Sequence, residues 1–217
     1  MEQINNNVPS QSEIKETLIE RHTKEVQQRL SNGKVVIAGL GGLGSNIAVS
    51  LTRIGVGKLL LIDFDVVDLS NINRQNYYIQ HLGLPKTEAL KRQLTQINPY
   101  IQIETKNIRI DEGNVVEVFQ EYEIVCEAFD NPKSKAMLVN TVLEKLPNSK
   151  IVSGSGMAGY ESSNEIKTHR TMKNFYLCGD LENGVEAGFC LMAPRVQICA
   201  GHQANMITRL LLGIEEE

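Results

Sequence analysis

The first nine residues carry no hydrophobic pattern, and Ser10 with Glu13 three positions later is a capping-box signature that opens a helix. The polar stretch that follows is helix-permissive to Leu30. Its apolar positions are few (Ile14, Leu18, Ile19, Val26, Leu30), so the helix is predicted to lie on a surface or against a second subunit rather than in a core. The pattern then shortens. KVVIAG (34–39) is a β-branched apolar run ending in glycine, which predicts a buried strand. SNIAVSLTRIGVG (45–57) returns to helical spacing and is stopped by Gly55 and Gly57, and KLLLID (58–63) predicts a second strand. PKTEALKRQLTQIN (85–98) has proline at its start and Asn-Pro at its end, the punctuation of a helix. Three more strands are predicted in IQIET (101–105), EIVCEAFD (123–130) and KIVSGSG (150–156). Helices in DEGNVVEVFQ (111–120) and PKSKAMLVNTVLEKL (132–146) alternate with them.

Strands alternating with helices imply an α/β fold, a Rossmann-like, mostly parallel sheet with helices on both faces. Beyond Gly156 the pattern changes. NEIKTHR (164–170) and NFYLCG (174–179) read as short antiparallel strands that extend the sheet near the C-terminus. ENGVEAGFC (182–190) reads as a loop, and PRVQICAGHQANMITRLLLG (194–213) as a final helix with one apolar face. With no repeat, low-complexity tract or linker, residues 1–217 read as a single domain preceded by an N-terminal tail and helix over 1–30.

Composition narrows the function. Hydrophobic residues make up 41% and charged residues 22%, so a core can form without staples. The net charge of −4 and the absence of tryptophan argue against nucleic acid as a partner. No apolar run reaches the roughly 18–20 residues that cross a bilayer, and the polar N-terminus carries no signal pattern. The expectation is a soluble, cytoplasmic protein with no membrane contact. The four cysteines, Cys126, Cys178, Cys190 and Cys199, form no CxxC pair, so no zinc is expected.

The chemistry starts at GLGGLG (39–44). It follows a predicted strand, opens a predicted helix, and is followed 22 residues after Gly41 by Asp63 at the end of the next strand. Gly39 permits the tight turn. Gly41 and Gly42 let backbone approach a phosphate or adenosine, and Gly44 completes the fingerprint. The helix N-terminus supplies partial positive charge, and Asp63 can accept hydrogen bonds from ribose hydroxyls. The alternative is that these glycines merely allow a helix to pack closely on a strand.

Which nucleotide is bound depends on the charges nearby. Two phosphates are handled by backbone amides, whereas a triphosphate calls for cationic side chains and a metal ion. Arg74 lies in the loop after the second strand, at the carboxyl edge where open α/β sheets bind ligands. Lys86 sits in the first turn of a helix, where it opposes the dipole; it is either aimed at an anion or a solvated surface lysine. Asp130 ends the fourth predicted strand and can hold Mg²⁺ beside phosphates. The set favours attack on a phosphate of ATP over hydride transfer. An NAD-dependent Rossmann oxidoreductase stays as an alternative, as does a nucleotide-binding scaffold without turnover.

GLGGLG, LIDFDVVDLSNINRQ (61–75), LPK (84–86) and EAFDN (127–131) together resemble the adenylating domain of the ThiF/MoeB/HesA family, bacterial relatives of ubiquitin-activating enzymes. The resemblance spans about residues 20–213. RHTKEVQQ (21–28), SGSGMAGY (153–160) and LMAPRVQICAGHQAN (191–205) are most similar to the short ThiF-type members of thiamine biosynthesis. The resemblance implies an adenylyltransferase that uses ATP and Mg²⁺ to activate the C-terminal glycine of a ubiquitin-like sulfur carrier of the ThiS kind. A MoaD-like molybdopterin carrier is the alternative, and a modified tRNA base is disfavoured by the lack of a basic surface. By matching positions, Gly42 would touch the nucleotide, Asp63 would bind ribose, and Asn71 and Arg74 would reach sugar and phosphates with Gln75 in support. Lys86 would stabilise charge at the α-phosphate and Asp130 would hold Mg²⁺. The family also implies a homodimer in which Arg21 reaches the other subunit's site. In some relatives a cysteine near Cys190 bonds the carrier covalently. Longer members carry two CxxC pairs that this chain lacks. His169, His202 and Asn205 carry no specific signal.

Overall fold

The N-terminal polar stretch folds as two helices rather than one. In a computed structural model describing residues 8–184 and 190–217, α1 spans Gln11–His22 and α2 spans Lys24–Asn32. The expected capping box is formed, with the Glu13 carboxylate accepting from the Ser10 amide at 2.8 Å. The break falls at Thr23, which adopts φ +83° and whose hydroxyl oxygen accepts from the amide of Val26. Reorienting the chain there turns Gln27 and Leu30 inward, and the Gln27 side-chain amide donates to the carbonyl of Gly55 at 3.4 Å. α1 buries no residue, in keeping with its sparse apolar positions. The predicted unstructured start lies, for residues 1–7, outside the described residues, as do 185–189 of the predicted loop.

The alternating elements follow. They are β1 (Lys34–Ala38), α3 (Gly42–Arg53), β2 (Lys58–Ile62), α4 (Lys86–Ile97), β3 (Gln102–Lys106), α5 (Val115–Phe119), β4 (Ile124–Glu127), α6 (Pro132–Lys145) and β5 (Lys150–Gly154). A hairpin of β6 (Lys167–Met172) and β7 (Phe175–Gly179) precedes the last helix, α7 (Ala193–Leu211). Among the described residues the sheet has seven strands in the order β3-β2-β1-β4-β5-β7-β6. β6 and β7 pair antiparallel as expected, but β7 joins β5 in parallel, so β6 alone runs against the sheet. Burial explains the arrangement. Tyr176 and Cys178 on β7 are buried and need partners on both sides, whereas β6 has no buried position and makes the edge.

The two-residue period of the strands divides the core. Val35 and Ile37 of β1 face a cluster with Ile47 and Leu51 of α3, Leu90 of α4, and Val196 and Ile207 of α7. Val36 and Ala38 face the other side, against Phe119 of α5 and Leu138 and Val142 of α6. Helices therefore cover both faces, as the sequence predicts. Strand order reverses between β1 and β4, which opens a crevice at their carboxyl ends.

Glycine fixes how α3 meets that crevice. Gly39 has φ +91°, and a Cβ there would lie 2.7 Å from the Ala128 carbonyl oxygen. A Cβ on Gly44 would lie 1.8 Å from the carbonyl oxygen of Gly39. Gly44→Ala should therefore cost about 3 kcal/mol in urea unfolding. By contrast Gly201→Ala, in α7 with open space around it, should stabilise by about 1 kcal/mol.

Candidate active site

At the switch point the sheet edge opens into a cavity of about 330 Å³, within the range of small-ligand sites. Of the residues singled out in the sequence, Gly39, Gly41, Gly42, Asp63, Arg74, Gln75, Lys86 and Asp130 all border it. Gly44 does not. It serves the close helix–turn packing described above, so both meanings of the glycine fingerprint are present at different positions.

Asp63 ends β2 with a buried carboxylate. One oxygen accepts from the Leu40 amide at 2.7 Å and the other from the Asp65 amide at 2.8 Å. These bonds stitch the glycine turn to the exit of β2. Each oxygen keeps a second acceptor site toward the cavity. The Tyr77 hydroxyl donates to the Leu40 carbonyl at 2.8 Å and braces the same turn. Burial, followed by the carboxylates of Asp63 and Asp65, pushes this phenol well above its ordinary pKa.

Lys86 is buried and lies between two acids. Its Nζ is 2.8 Å from Asp65 Oδ2 and 4.0 Å from Asp63 Oδ2. A solvated surface lysine, the alternative left open by the sequence, is excluded by this placement. Asp65 was not identified from the sequence, although the DFD spacing put two carboxylates on one side of an extended segment. Backbone bonds from Lys86 N to Asp65 O (2.9 Å) and from Val67 N to Leu84 O (2.8 Å) close the loop between β2 and α4. The same loop is tied to α3 by Asn46, which donates to the Arg74 carbonyl at 3.2 Å, and by Ser45 Oγ, which accepts from the Asn76 amide at 2.9 Å.

Arg74 is thereby held over the glycine turn. Its guanidinium donates to the Ser70 carbonyl (3.0 Å) and to Asn73 Oδ1 (2.8 Å). Gly42 makes room for this closure, since a Cβ there would lie 2.9 Å from Val196 Cγ1 and 3.6 Å from Arg74 Cγ. Gln75 is buried beside the turn, and its Oε1 has no hydrogen-bond partner among the described residues.

β4 ends at Glu127, three residues earlier than its apolar run suggested. Asp130 therefore lies in the turn before α6 and is exposed to the cavity. The strand stops because the Glu127 carboxylate bends back to accept from the Phe129 amide at 2.6 Å. Glu127 is fully buried and also takes Lys135 Nζ at 2.7 Å and the Ser153 hydroxyl. Lys135 borders the cavity. This network was missed in the sequence; its signal was an acid inside a run otherwise read as buried strand.

The remaining candidates lie elsewhere. Asn71 is not on the cavity lining; its Oδ1 accepts from the Asp68 amide at 3.0 Å and closes a short 3-10 turn. Arg21 is exposed on α1, away from the lining. Cys190 is exposed beside Leu191, which borders the cavity, and its carbonyl accepts from the Gly159 amide at 2.8 Å. His202 faces Thr168 Oγ1 at 3.1 Å, and burial lowers its pKa.

The donors fit a magnesium-bound nucleotide triphosphate as ligand. Arg74 and Lys86 face one space with two exposed carboxylates, Asp65 held by Lys86 and Asp130 without a side-chain partner among the described residues, and the orphaned Gln75 oxygen is available to a ligand donor. Among the described residues no group of three or more His, Cys, Asp or Glu could hold a metal by itself. A lone acid such as Asp130 suits an ion that arrives already coordinated by phosphates.

A glycine turn, acids and basic side chains at the switch point of a doubly wound sheet define a nucleotide-binding α/β protein. Residues 15–217 match the model of the ThiF family, and the chain belongs to that family. It is 32% identical over 193 residues to the molybdopterin-synthase adenylyltransferase of Escherichia coli (strain K12), covering 86% of this chain and 76% of that protein. The Haemophilus influenzae protein of the same name is 42% identical over 113 residues, 52% of this chain and 46% of its own length. Among solved structures, E. coli tRNA N6-threonylcarbamoyladenosine dehydratase, TcdA, in complex with ATP, aligns with a TM-score of 0.83 over 95% of this chain and 97% of that chain. Its identity is 21%, so the likeness shows the fold.

The thiols give a direct check on this arrangement. Cys126, Cys178 and Cys199 are buried. Burial pushes the Cys178 thiol up to about 11 and raises those of Cys126 and Cys199 as well. A chromogenic disulfide reagent at neutral pH should count one fast thiol in the native protein, lost in Cys190→Ser, and four in denaturant.

Proposed function

We propose that this chain is an ATP-dependent adenylyltransferase that activates the C-terminal carboxylate of a ubiquitin-like sulfur carrier protein. The observation that carries the proposal is the meeting of Arg74, Lys86, Asp63 and Asp130 on one cavity beside the glycine turn, in a member of the ThiF family. Relatives named adenylyltransferases support the reaction type. Arg74 and Lys86 on the cavity favour a triphosphate over NAD.

In this reaction a carboxylate oxygen of the carrier attacks the α-phosphorus of ATP, forming the acyl-adenylate as the bond to pyrophosphate breaks. The chain's part is positioning and charge stabilisation. The first amides of α3 and the Arg74 guanidinium face the phosphates. Lys86 meets the charge that grows at the α-phosphate. Asp63 accepts from ribose hydroxyls through its remaining acceptor sites, with Gln75 beside it, and Asp130 holds the Mg²⁺ that arrives with ATP. The sequence suggested a carrier of the thiamine pathway. The names of the relatives favour one of the molybdopterin-synthase kind, and the proposal takes that preference. It includes the homodimer that the family resemblance implies, in which Arg21, exposed on α1 and off this chain's own lining, serves the site of the second copy. Cys190, exposed beside the lining, is the thiol placed to meet the activated carrier. Among the described residues no helix is long and apolar enough to cross a membrane.

Labelled pyrophosphate should exchange into ATP only when carrier and Mg²⁺ are both present. Lys86→Ala and Asp130→Ala should each slow exchange about a hundredfold, about 3 kcal/mol. Exchange at the unaltered rate in either variant would overturn its role. Parallel assays with the two carrier types should show the higher kcat/KM for the molybdopterin kind.

A further inference from the structure

We infer that Glu127 and Lys135 are a positioning pair that presets the Asp130 carboxylate for the Mg²⁺ ion accompanying ATP. The inference rests on the nucleotide part of the proposed function and names the residues that make that site work. Asp130 itself makes no side-chain hydrogen bond among the described residues, yet the backbone on both sides of it is fixed. On one side the Phe129 amide donates to Glu127 Oε1 at 2.6 Å, and the Phe129 carbonyl accepts from Lys135 Nζ at 3.0 Å. On the other, Asn131 Oδ1 accepts from the amides of Lys133 (3.0 Å) and Ser134 (3.1 Å) and caps α6. Lys135 Nζ then closes the ring onto Glu127 Oε2 at 2.7 Å, with the Ser153 hydroxyl on the same carboxylate. Gln203 of α7 anchors the Glu127 backbone carbonyl at 3.2 Å and that of Val152 at 3.3 Å.

The chemistry calls for such a clamp. Mg²⁺ demands near-octahedral geometry with short bonds to oxygen, and a site with one protein carboxylate has no second ligand to absorb an error. A misplacement of about 1 Å near reacting groups can cost on the order of a hundredfold in rate. The pair is electrically neutral, and Lys135 is committed to Glu127 and Phe129 rather than left for phosphate. Its removal should therefore disturb the metal-dependent part of nucleotide binding and leave the metal-free part alone. A residue that only held the cavity together would affect both.

Equilibrium binding of ATP to the full chain, by calorimetry in EDTA and across a MgCl₂ series, separates these outcomes. The double variant Glu127→Gln/Lys135→Met removes both charges together, so that no buried carboxylate is left unpaired. It should raise the Mg²⁺ concentration for half-maximal tightening on the order of tenfold, with affinity in EDTA unchanged. Asp130→Asn should shift the Mg²⁺ dependence by less in the double variant than it does in the unaltered protein, because both changes act through one contact. Ser153→Ala, a milder change, should shift the Mg²⁺ dependence in the same direction by less. Lys135→Arg, able to keep both bonds, should recover most of the unaltered response. An unchanged Mg²⁺ dependence, an equal loss with and without Mg²⁺, or no Mg²⁺ dependence in the unaltered protein would each overturn the inference. If the shift is present but carrier-dependent exchange is absent, the pair stands and the proposed reaction fails.

Discussion

The site depends on a single buried carboxylate that joins two turns. Asp63 receives the Leu40 amide on one oxygen and the Asp65 amide on the other. A buried carboxylate is tolerable only when hydrogen-bonded, and charge-assisted bonds to amides are among the stronger ones available. Without it two amides at the floor of the crevice would lack partners, and the glycine turn would lose its tie to β2. With it in place, Asp65 is aimed at Lys86, and Lys86 closes the loop that carries Arg74 and Gln75. The position of each phosphate-facing group is thus inherited from a bond made at the end of a strand.

The same arrangement tempers one of the cations it positions. Lys86 is held by Asp65, with Asp63 only slightly farther away, so a phosphate must compete with carboxylates for its ammonium. Arg74 commits only its Nη1, to the Ser70 carbonyl and Asn73 Oδ1, and its charge meets no carboxylate among the described residues. Lys86, by contrast, offers no bare charge that would grip any polyanion. An interaction resisted in the ground state gains relative weight as negative charge builds on the reacting phosphorus, and that difference is what accelerates a reaction. Selectivity for a well-placed triphosphate follows from the acids as much as from the bases.

The parts of this site legible in the sequence are the local ones. A short apolar run ending in GLGGLG and a second in KLLLID place β1, α3 and β2 within a few residues, because a continuous apolar run broken by glycine is a local signal. α3 begins at Gly42 rather than at Ser45, since tertiary packing at Gly44 overrides the poor helix propensity of glycine. What stayed hidden depends on groups far apart in the chain. The break at Thr23 is decided by Gln27 reaching Gly55, and the pairing of β7 with β5 by burial of Tyr176 and Cys178. Glu127, Lys135 and Ser153 meet only after two strands and a helix have packed. Asn71 matched a family motif, yet the structure puts its side-chain oxygen on the Asp68 amide.

The last helix shows why the nucleotide half of the sheet could not form this cavity alone. Leu43, Ile47 and Leu51 of α3 belong to the same buried cluster as Val196, Cys199 and Ile207 of α7, so without α7 the helix that carries the phosphate turn would expose its apolar face. α7 also reaches the chemistry from below. Val196 presses on Gly42, and Gln203 holds the ends of β4 and β5 together under Gly154, where a Cβ would lie 2.5 Å from Leu43 Cδ1. The glycines at the ends of β1 and β5 keep the crevice open while α7 keeps its walls at a fixed separation. A change in the register of α7 would reach Arg74 through Gly42 and Asp130 through Glu127 together, which makes the C-terminal helix part of the nucleotide site although it contributes few of the groups that face the ligand.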